Sequence, residues 1–365
     1  MRRREFLQSG AALATTAGLS PRAFAEIPFS PKPETWRKFE IVTRIEITKP
    51  SGKTQAWVPL PAIAEPEWIE PLGSQWDSNA QAAVKQRDAK YGAEMVHIEW
   101  AEGEPAPVAQ VVSRFATRDR AVDFGNQRTV RPLSDAERKL HTAATELMPT
   151  DGIVKTTADS IVGWAFTDLE KARRIYEWVV DSTFRDPKTR GCGIGDIASM
   201  LQTGNLGGKC ADLNALYVGL ARAVGLPARD VYGIRVAPSK FGYKSLGAGS
   251  EVVSKAQHCR AEVFLSGYGW VPVDPADVRK VVLEEPPGQL ALNDPRVTAA
   301  RKTLFGAWEM NWLGYNFAHD IELPGSSGPK IGFLMYPQAE VGGERLDPLE
   351  PDAFKYTITA KEIAA

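Results

Sequence analysis

Hydrophobic and polar positions divide the chain into a strand-rich opening, a helical middle and a return to strands. Lys38 to Ile47 (KFEIVTRIEI) partly alternates, with the period interrupted at Ile41-Val42. Ser51-Gly52-Lys53 supplies a turn, and Gln55 to Pro59 reads as a second short strand ended by its proline. Ala93 to Trp100 alternates cleanly, and Val108 to Thr117 reads as a further strand. Short strands separated by turn signals predict a small β-sandwich.

Near residue 134 the apolar period changes from two to about 3.6. Ser134-Asp135-Ala136-Glu137 is a capping box that opens a helix to about Leu147. Thr167-Asp168-Leu169-Glu170 is another, followed by Ala172, Ile175, Tyr176 and Val179 on one face. A third helix is predicted over 209–224, where Leu213, Leu216, Leu220 and Val224 recur at helical steps. Gly225 and Pro227 end it. Strand patterning returns at Asp230 to Val236, at Cys259 to Leu265 and, after the turn 266–269, at Trp270 to Asp274. Residues 237–255 form a Gly/Ser-rich loop of a length often found facing a substrate. Trp308 to Phe317 is aromatic-rich, and Phe354 to Ile358 reads as a final strand.

Composition narrows the class without choosing a function. The 365 residues are 43% hydrophobic and 24% charged, enough for two or three globular domains. No apolar run approaches the roughly 20 residues that span a bilayer, and no basic stripe suggests nucleic acid. The first 25 residues are a targeting segment. Arg3-Arg4 gives a twin-arginine pattern, Gly10 to Leu19 is weakly apolar, and Ala23-Phe24-Ala25 is a cleavage site. The expected location is therefore periplasmic or secreted. Removing the segment takes four arginines and one glutamate and leaves a net charge of −4.

Disulfides are permitted outside the cytoplasm, yet three cysteines, Cys192, Cys210 and Cys259, leave one thiol over. Cys210 follows Gly207-Gly208-Lys209 at the mouth of the third helix. A helix N-terminus carries about half a positive charge, which favours a thiolate. The glycines allow close approach of backbone and substrate, and a helix-start N–H can serve as an oxyanion donor. A cysteine on a helix is also an ordinary small core residue, so its partners decide. A thiolate hydrolase needs a base held by a third group. Of four histidines, His97, His141 and His319 read as surface or core residues. His258 begins a strand after the polar loop, and Asp274 ends the next one. In an antiparallel hairpin the start of one strand lies beside the end of the other, so these two can meet. Bringing Cys210 to them requires the tertiary fold.

The stretch GGKCADLNALYVGLARAVGLPARDVYGIR, followed by QHCRAEVFLSGYGWVPVDPAD, resembles the transglutaminase-like superfamily over roughly residues 135–280. The resemblance implies an α+β fold with a papain-like core. It makes Cys210 the nucleophile, His258 the base and Asp274 its orienter. The expected organisation is a signal peptide (1–25), an N-terminal β domain (26–125) beginning with a Pro-rich linker, a catalytic core (126–285), and an aromatic-rich extension (286–365) packed on the core or the β domain. The family frequently has Trp two residues after the histidine, where this chain has Arg260. Arg260 reads either as an anion-reading group or as a cation that snorkels or pairs with a structural carboxylate. Gln202, Asn205 and Trp164 are candidates for a second oxyanion donor. Cys192 either bridges to Cys259 or is a second free thiol near the cleft. Asp196, Glu262 and Asp277 fall in the same region without metal-ligand spacing, so no metal and no cofactor are expected. The expected function is an exported cysteine-dependent amide hydrolase, peptidase-like, or an acyl transferase, acting on a protein or peptide through a thioester. The other class is a catalytically silent binding module for envelope or secreted polypeptides. A thiol oxidoreductase is disfavoured because no C-x-x-C occurs.

Overall fold

The alternating segments form β1 (Arg37–Ile47), β2 (Thr54–Leu60), β3 (Ile69–Ser78), β4 (Ala82–Arg87), β5 (Glu94–Trp100), β6 (Val108–Thr117) and the short β7 (Arg120–Ala121). These come from a computed structural model that describes residues 28–352 and 354–364. The twin-arginine segment lies outside the described residues. In β1, Phe39, Ile41, Thr43, Ile45 and Ile47 are buried, so the strand runs unbroken through Ile41-Val42.

The middle of the chain gives α1 (Asp135–Thr142), α2 (Gly152–Val162), α3 (Asp168–Ser182), β8 (Phe184–Arg185), α4 (Ile197–Thr203), β9 (Gly207–Gly208) and α5 (Cys210–Ala223). Both capping boxes form, at Ser134/Glu137 and Thr167/Glu170. The first helix stops at Thr142 rather than near Leu147, because Ala143 is already extended. The remainder comprises β10 (Ala228–Arg235), β11 (Gln257–Leu265), β12 (Gly269–Val273), α6 (Pro275–Glu284), α7 (Pro295–Thr303), β13 (Ala307–Trp308), β14 (Trp312–Asn316), β15 (Gln338–Val341), β16 (Glu344–Arg345) and β17 (Phe354–Ile363).

Two antiparallel sheets, ordered β17-β1-β6-β3 and β16-β15-β2-β5-β4, pack face to face. Ile45, Ile47, Val58, Leu60, Val96, Ile98, Val111 and Phe354 fill the space between them. The last strands of the chain complete this sandwich, with β17 antiparallel to β1 from Lys38↔Ile363 to Ile47↔Phe354.

The site-bearing unit is a third antiparallel sheet, β12-β11-β10-β14, with α5 laid against it. Every residue of α5 is buried, including Asp212, Asn214 and Arg222. A helix enclosed on all sides reads as apolar nearly throughout, and its few polar side chains must find partners. Asn214 donates to Cys259 O at 2.8 Å, and Arg222 donates to Ala228 O at 2.8 Å. The aromatic-rich segment supplies the fourth strand, with Trp308 and Trp312 fully buried. The loop between β10 and β11 is fastened to the final strand: Val253 N–H donates to Ile358 O at 2.8 Å, and Ile358 N–H to Ser254 Oγ at 2.8 Å. Among the described residues no helix is long and apolar enough to cross a membrane.

Candidate active site

Cys210 is the first residue of α5, and Lys209 before it has extended backbone. Asp212, one turn in, fixes this helix mouth. Its carboxylate accepts from Lys209 N–H at 2.9 Å and from Ile194 N–H and Gly195 N–H at 3.0 Å. The loop carrying Cys192 is thereby held against the helix start, and Ala211 N–H donates to Cys192 O at 2.9 Å. Two glycines are required by this approach. A Cβ on Gly193, which has φ +89°, would lie 1.8 Å from Asp212 Oδ2; one on Gly208 would lie 2.5 Å from Asp212 Cβ.

His258 stands on β11 opposite Gly233 of β10. The indole of Trp312 fills the place where a side chain at Gly233 would be, and donates to His258 O at 2.9 Å. Asp274 is the N-cap of α6, with Pro275 in the first turn. Its Oδ1 accepts from Asp277 N–H at 3.0 Å and from Asn214 Nδ2 at 3.3 Å. Its Oδ2 lies 2.7 Å from His258 Nε2. One carboxylate therefore ends a strand, starts a helix and holds the imidazole.

A second ring of charge surrounds this pair. Asp277 Oδ1 is 3.4 Å from His258 Nε2. Arg235 grips Asp277 through both oxygens at 2.6 and 2.7 Å. Arg260 Nε is 3.5 Å from Asp274 Oδ2, and its guanidinium packs between Trp308 and Trp312. All these charged groups are buried.

Burial opposes charge on His258. The charge of Asp277, then the charge and hydrogen bond of Asp274, overcome both that penalty and the repulsion of Arg235, and raise the imidazole to about 9. Nε2 is committed to the carboxylates, which leaves Nδ1 for the thiol. Hydrogen bonds from Cys192 and Cys259, then the hydrogen bond and charge of His258, hold the Cys210 thiol well below its ordinary range despite burial. The Cys192 and Cys259 thiols are pushed up, Cys192 by the sulfur of Cys210 and Cys259 first by burial. The arrangement favours a thiolate–imidazolium pair.

Cys210 and His258 both line a cleft of about 680 Å³, together with Cys192, Gln257 and Tyr336. Gly247 to Gly249 and Ser254 to Ala256, from the loop read as substrate-facing, form part of its wall. Gln257 Nε2 is buried without a hydrogen-bond partner. Cys210, His258 and Asp274 thus come together from a helix mouth, a strand and a helix cap.

Other residues singled out in the sequence fall elsewhere. Gln202 and Asn205 are exposed, Trp164 is 86% exposed, and none lines the cleft. All three cysteines are free and buried. Asp196 caps α4 through Ser199 N–H at 3.0 Å. Glu262 is held between Arg120 and Arg229 at 2.5 and 2.6 Å. His97 stacks on Trp57, His141 meets Trp270 edge-on, and His319 Nδ1 lies 3.1 Å from Tyr232 Oη. Arg260 does not line the cleft and instead backs Asp274. Arg235, Asn214 and Gln257 escaped the sequence reading. Only the run Asp274-Pro275-Ala276-Asp277, a helix start with carboxylates one turn apart, hinted that Asp277 belongs to the site.

His258, Asp274 and Asp277 offer ligand atoms within 4.8 Å of one another. Arg235 occupies both Asp277 oxygens and Arg260 stands beside Asp274, so a metal ion would face two guanidiniums. The donor set fits an imidazolium better than a metal ion.

The sequence profile of the transglutaminase-like superfamily matches residues 155–275. An uncharacterized protein of Haemophilus influenzae is 39% identical over 326 residues, covering 86% of this chain and 87% of that protein. A crystal structure of a candidate cysteine protease from Cytophaga hutchinsonii superposes with TM-score 0.54 at 13% identity, over 91% of this chain and 92% of the other. The periplasmic domain of TgpA from Pseudomonas aeruginosa aligns at TM-score 0.34 and 14% identity, over 66% of this chain and 88% of that domain.

Proposed function

Because this chain belongs to the transglutaminase-like superfamily, we propose that it is an exported, cysteine-dependent amide hydrolase of peptide substrates. The observation that carries the reading is the buried His258–Asp274 pair, 2.7 Å apart, beside a thiol at a helix start in an open cleft. The Cys210 thiolate attacks the amide carbonyl carbon. The oxyanion is stabilised by the Cys210 N–H at the start of α5, with Gln257 Nε2 as the second donor. His258 passes its proton to the amide nitrogen as the C–N bond breaks, and a thioester on Cys210 remains. Neutral His258 then takes a proton from water. The hydroxide adds to the thioester, the acid leaves, and the thiolate returns. Asp274 stabilises the imidazolium before proton transfer and again after water is activated. An amine in place of water gives acyl transfer by the same steps. Export rests on the twin-arginine signal at the start of the chain.

The test is capture of the acyl-enzyme. The mature protein is incubated with activated peptide esters and a peptide library, with and without added amine, and analysed by mass spectrometry. A substrate-derived mass on Cys210, absent from Cys210→Ala, is the expected result. No adduct, together with iodoacetamide labelling that begins only near the ordinary thiol pKa of about 8.5, would defeat the proposal.

A further inference from the structure

The cleft wall is strongly one-sided in charge. Arg185, Arg190, Lys209, Arg235, Lys255 and Lys280 line it, and no aspartate or glutamate does. The chain as a whole carries a formal charge of only −1, so this concentration is local. The six cations are not equally available. Arg235 is locked on Asp277, and Arg190 is held by Asp347 and Glu350. Arg185 and Lys280 share a single carboxylate, Glu284, with Lys280 Nζ 3.8 Å away. Lys209 and Lys255 make no ion pair with any described residue. Lys280 is largely withdrawn from water, with 18% of its side chain exposed. A half-buried ammonium at the edge of a cleft gains from a bound anion more than a fully hydrated one does.

These cations arise from separate elements. Arg185 is on β8, Lys209 at the mouth of α5, Lys255 on the loop before β11 and Lys280 on α6. Groups spread around the rim suit several single charges along an extended chain better than one compact polyanion. In a peptide substrate those charges are carboxylates.

We propose that the cleft selects acidic peptides as acyl donors, with Lys209, Lys255 and Lys280 reading carboxylates that flank the scissile amide. This rests on the amide-hydrolase reading above. Two measurements separate the failure of one from the failure of the other. The first is binding to the Cys210→Ser protein, which needs no turnover. A fluorescent peptide with glutamate at alternate positions is compared with its glutamine isostere. The glutamate peptide is expected to bind about tenfold more tightly at low salt, since a partly exposed charge pair is worth a factor of about 1.4 to 5. The advantage should shrink as ionic strength rises. The second is kcat/KM for the same two peptides with wild-type enzyme and with the Lys255→Gln/Lys280→Gln variant, whose folding is checked by its melting temperature. The variant should lose several-fold on the glutamate peptide through KM and change little on the glutamine peptide. Equal binding of both peptides, or an unchanged ratio in a folded variant, overturns the proposal. Selective binding without turnover of either peptide would leave it standing and count against the hydrolase reading.

Discussion

Replacing Asp274 with asparagine tests the support of the imidazole while sparing the helix that this residue caps. Asparagine caps as well as aspartate, so the acceptor for Asp277 N–H, now at 3.0 Å, survives. What disappears is the charge 2.7 Å from His258 Nε2. Raising an imidazole from 6.5 to about 9 corresponds to about 3 kcal/mol in favour of the imidazolium. Asp274 contributes to that rise through both its charge and its hydrogen bond, so removing its charge lowers the imidazole and thins the imidazolium population at pH 7. The amide adds a second fault: its N–H₂ directed at Nε2 selects the neutral tautomer with the proton on Nδ1, which cannot accept the thiol proton. In a serine-protease triad the equivalent change costs about 10⁴. Here Asp277 remains 3.4 Å from Nε2 as a substitute acceptor. The expected loss is therefore about 10²- to 10³-fold in kcat/KM at pH 7, with the melting temperature within a few degrees of wild type. The assay is peptide hydrolysis with single-turnover acylation followed by mass spectrometry. A rate within about threefold of wild type in a folded variant would show that Asp274 does not govern the imidazole.

Three further outcomes are expected. Folded His258 titrates at about 9 against an ordinary 6.5, so its contribution to stability is complete below pH 6.5 and is lost as pH rises through 9. In a Cys210→Ala background, where no thiolate offsets the proton on the imidazole, the protein should accordingly lose more stability over that window than the same background carrying His258→Gln, and parallel curves in chemical denaturation would contradict the His258–carboxylate ion pair. Gly233→Ala would place a Cβ 2.0 Å from Leu313 O and 2.4 Å from the Trp312 ring. It should destabilise the protein by about 3 kcal/mol or more, read as a drop in melting temperature, and a neutral effect would mean that Trp312 does not hold β10 and β11 as described. Thiol titration of the denatured, unreduced protein should find three free cysteines, whereas a single one would mean that Cys192 and Cys259 bridge.

Local signals carried the sequence reading a long way. The capping boxes at Ser134 and Thr167, the exit Gly225-Leu226-Pro227 and the hairpin joining β11 to β12 all follow from near-neighbour chemistry. His258 and Asp274 were legible for the same reason, since both lie on one hairpin. Arg235, Asn214 and Gln257 were not. Each becomes part of the site only through packing across β10, α5 and β11, and nothing beside them in the chain marks it. The helix over Gly152–Val162 was missed because it opens on glycine and carries two threonines, and tertiary burial of Val154 and Ala158 outweighs that weak propensity. The aromatic run near 312 could be seen but not placed. Its partner strand, β10, lies some eighty residues away, and register across that distance is set by the folded sheet alone.

The union of β17 with β1 imposes an order on biosynthesis. The first strand of the chain waits for the last before its outer edge is covered, and the same last strand ties down Val253 and Ser254 beside the cleft. A ribosome-bound intermediate would carry the thiol, imidazole and carboxylate but lack the fastening of one wall. That wall of the pocket is thus fastened only after β17 has been made.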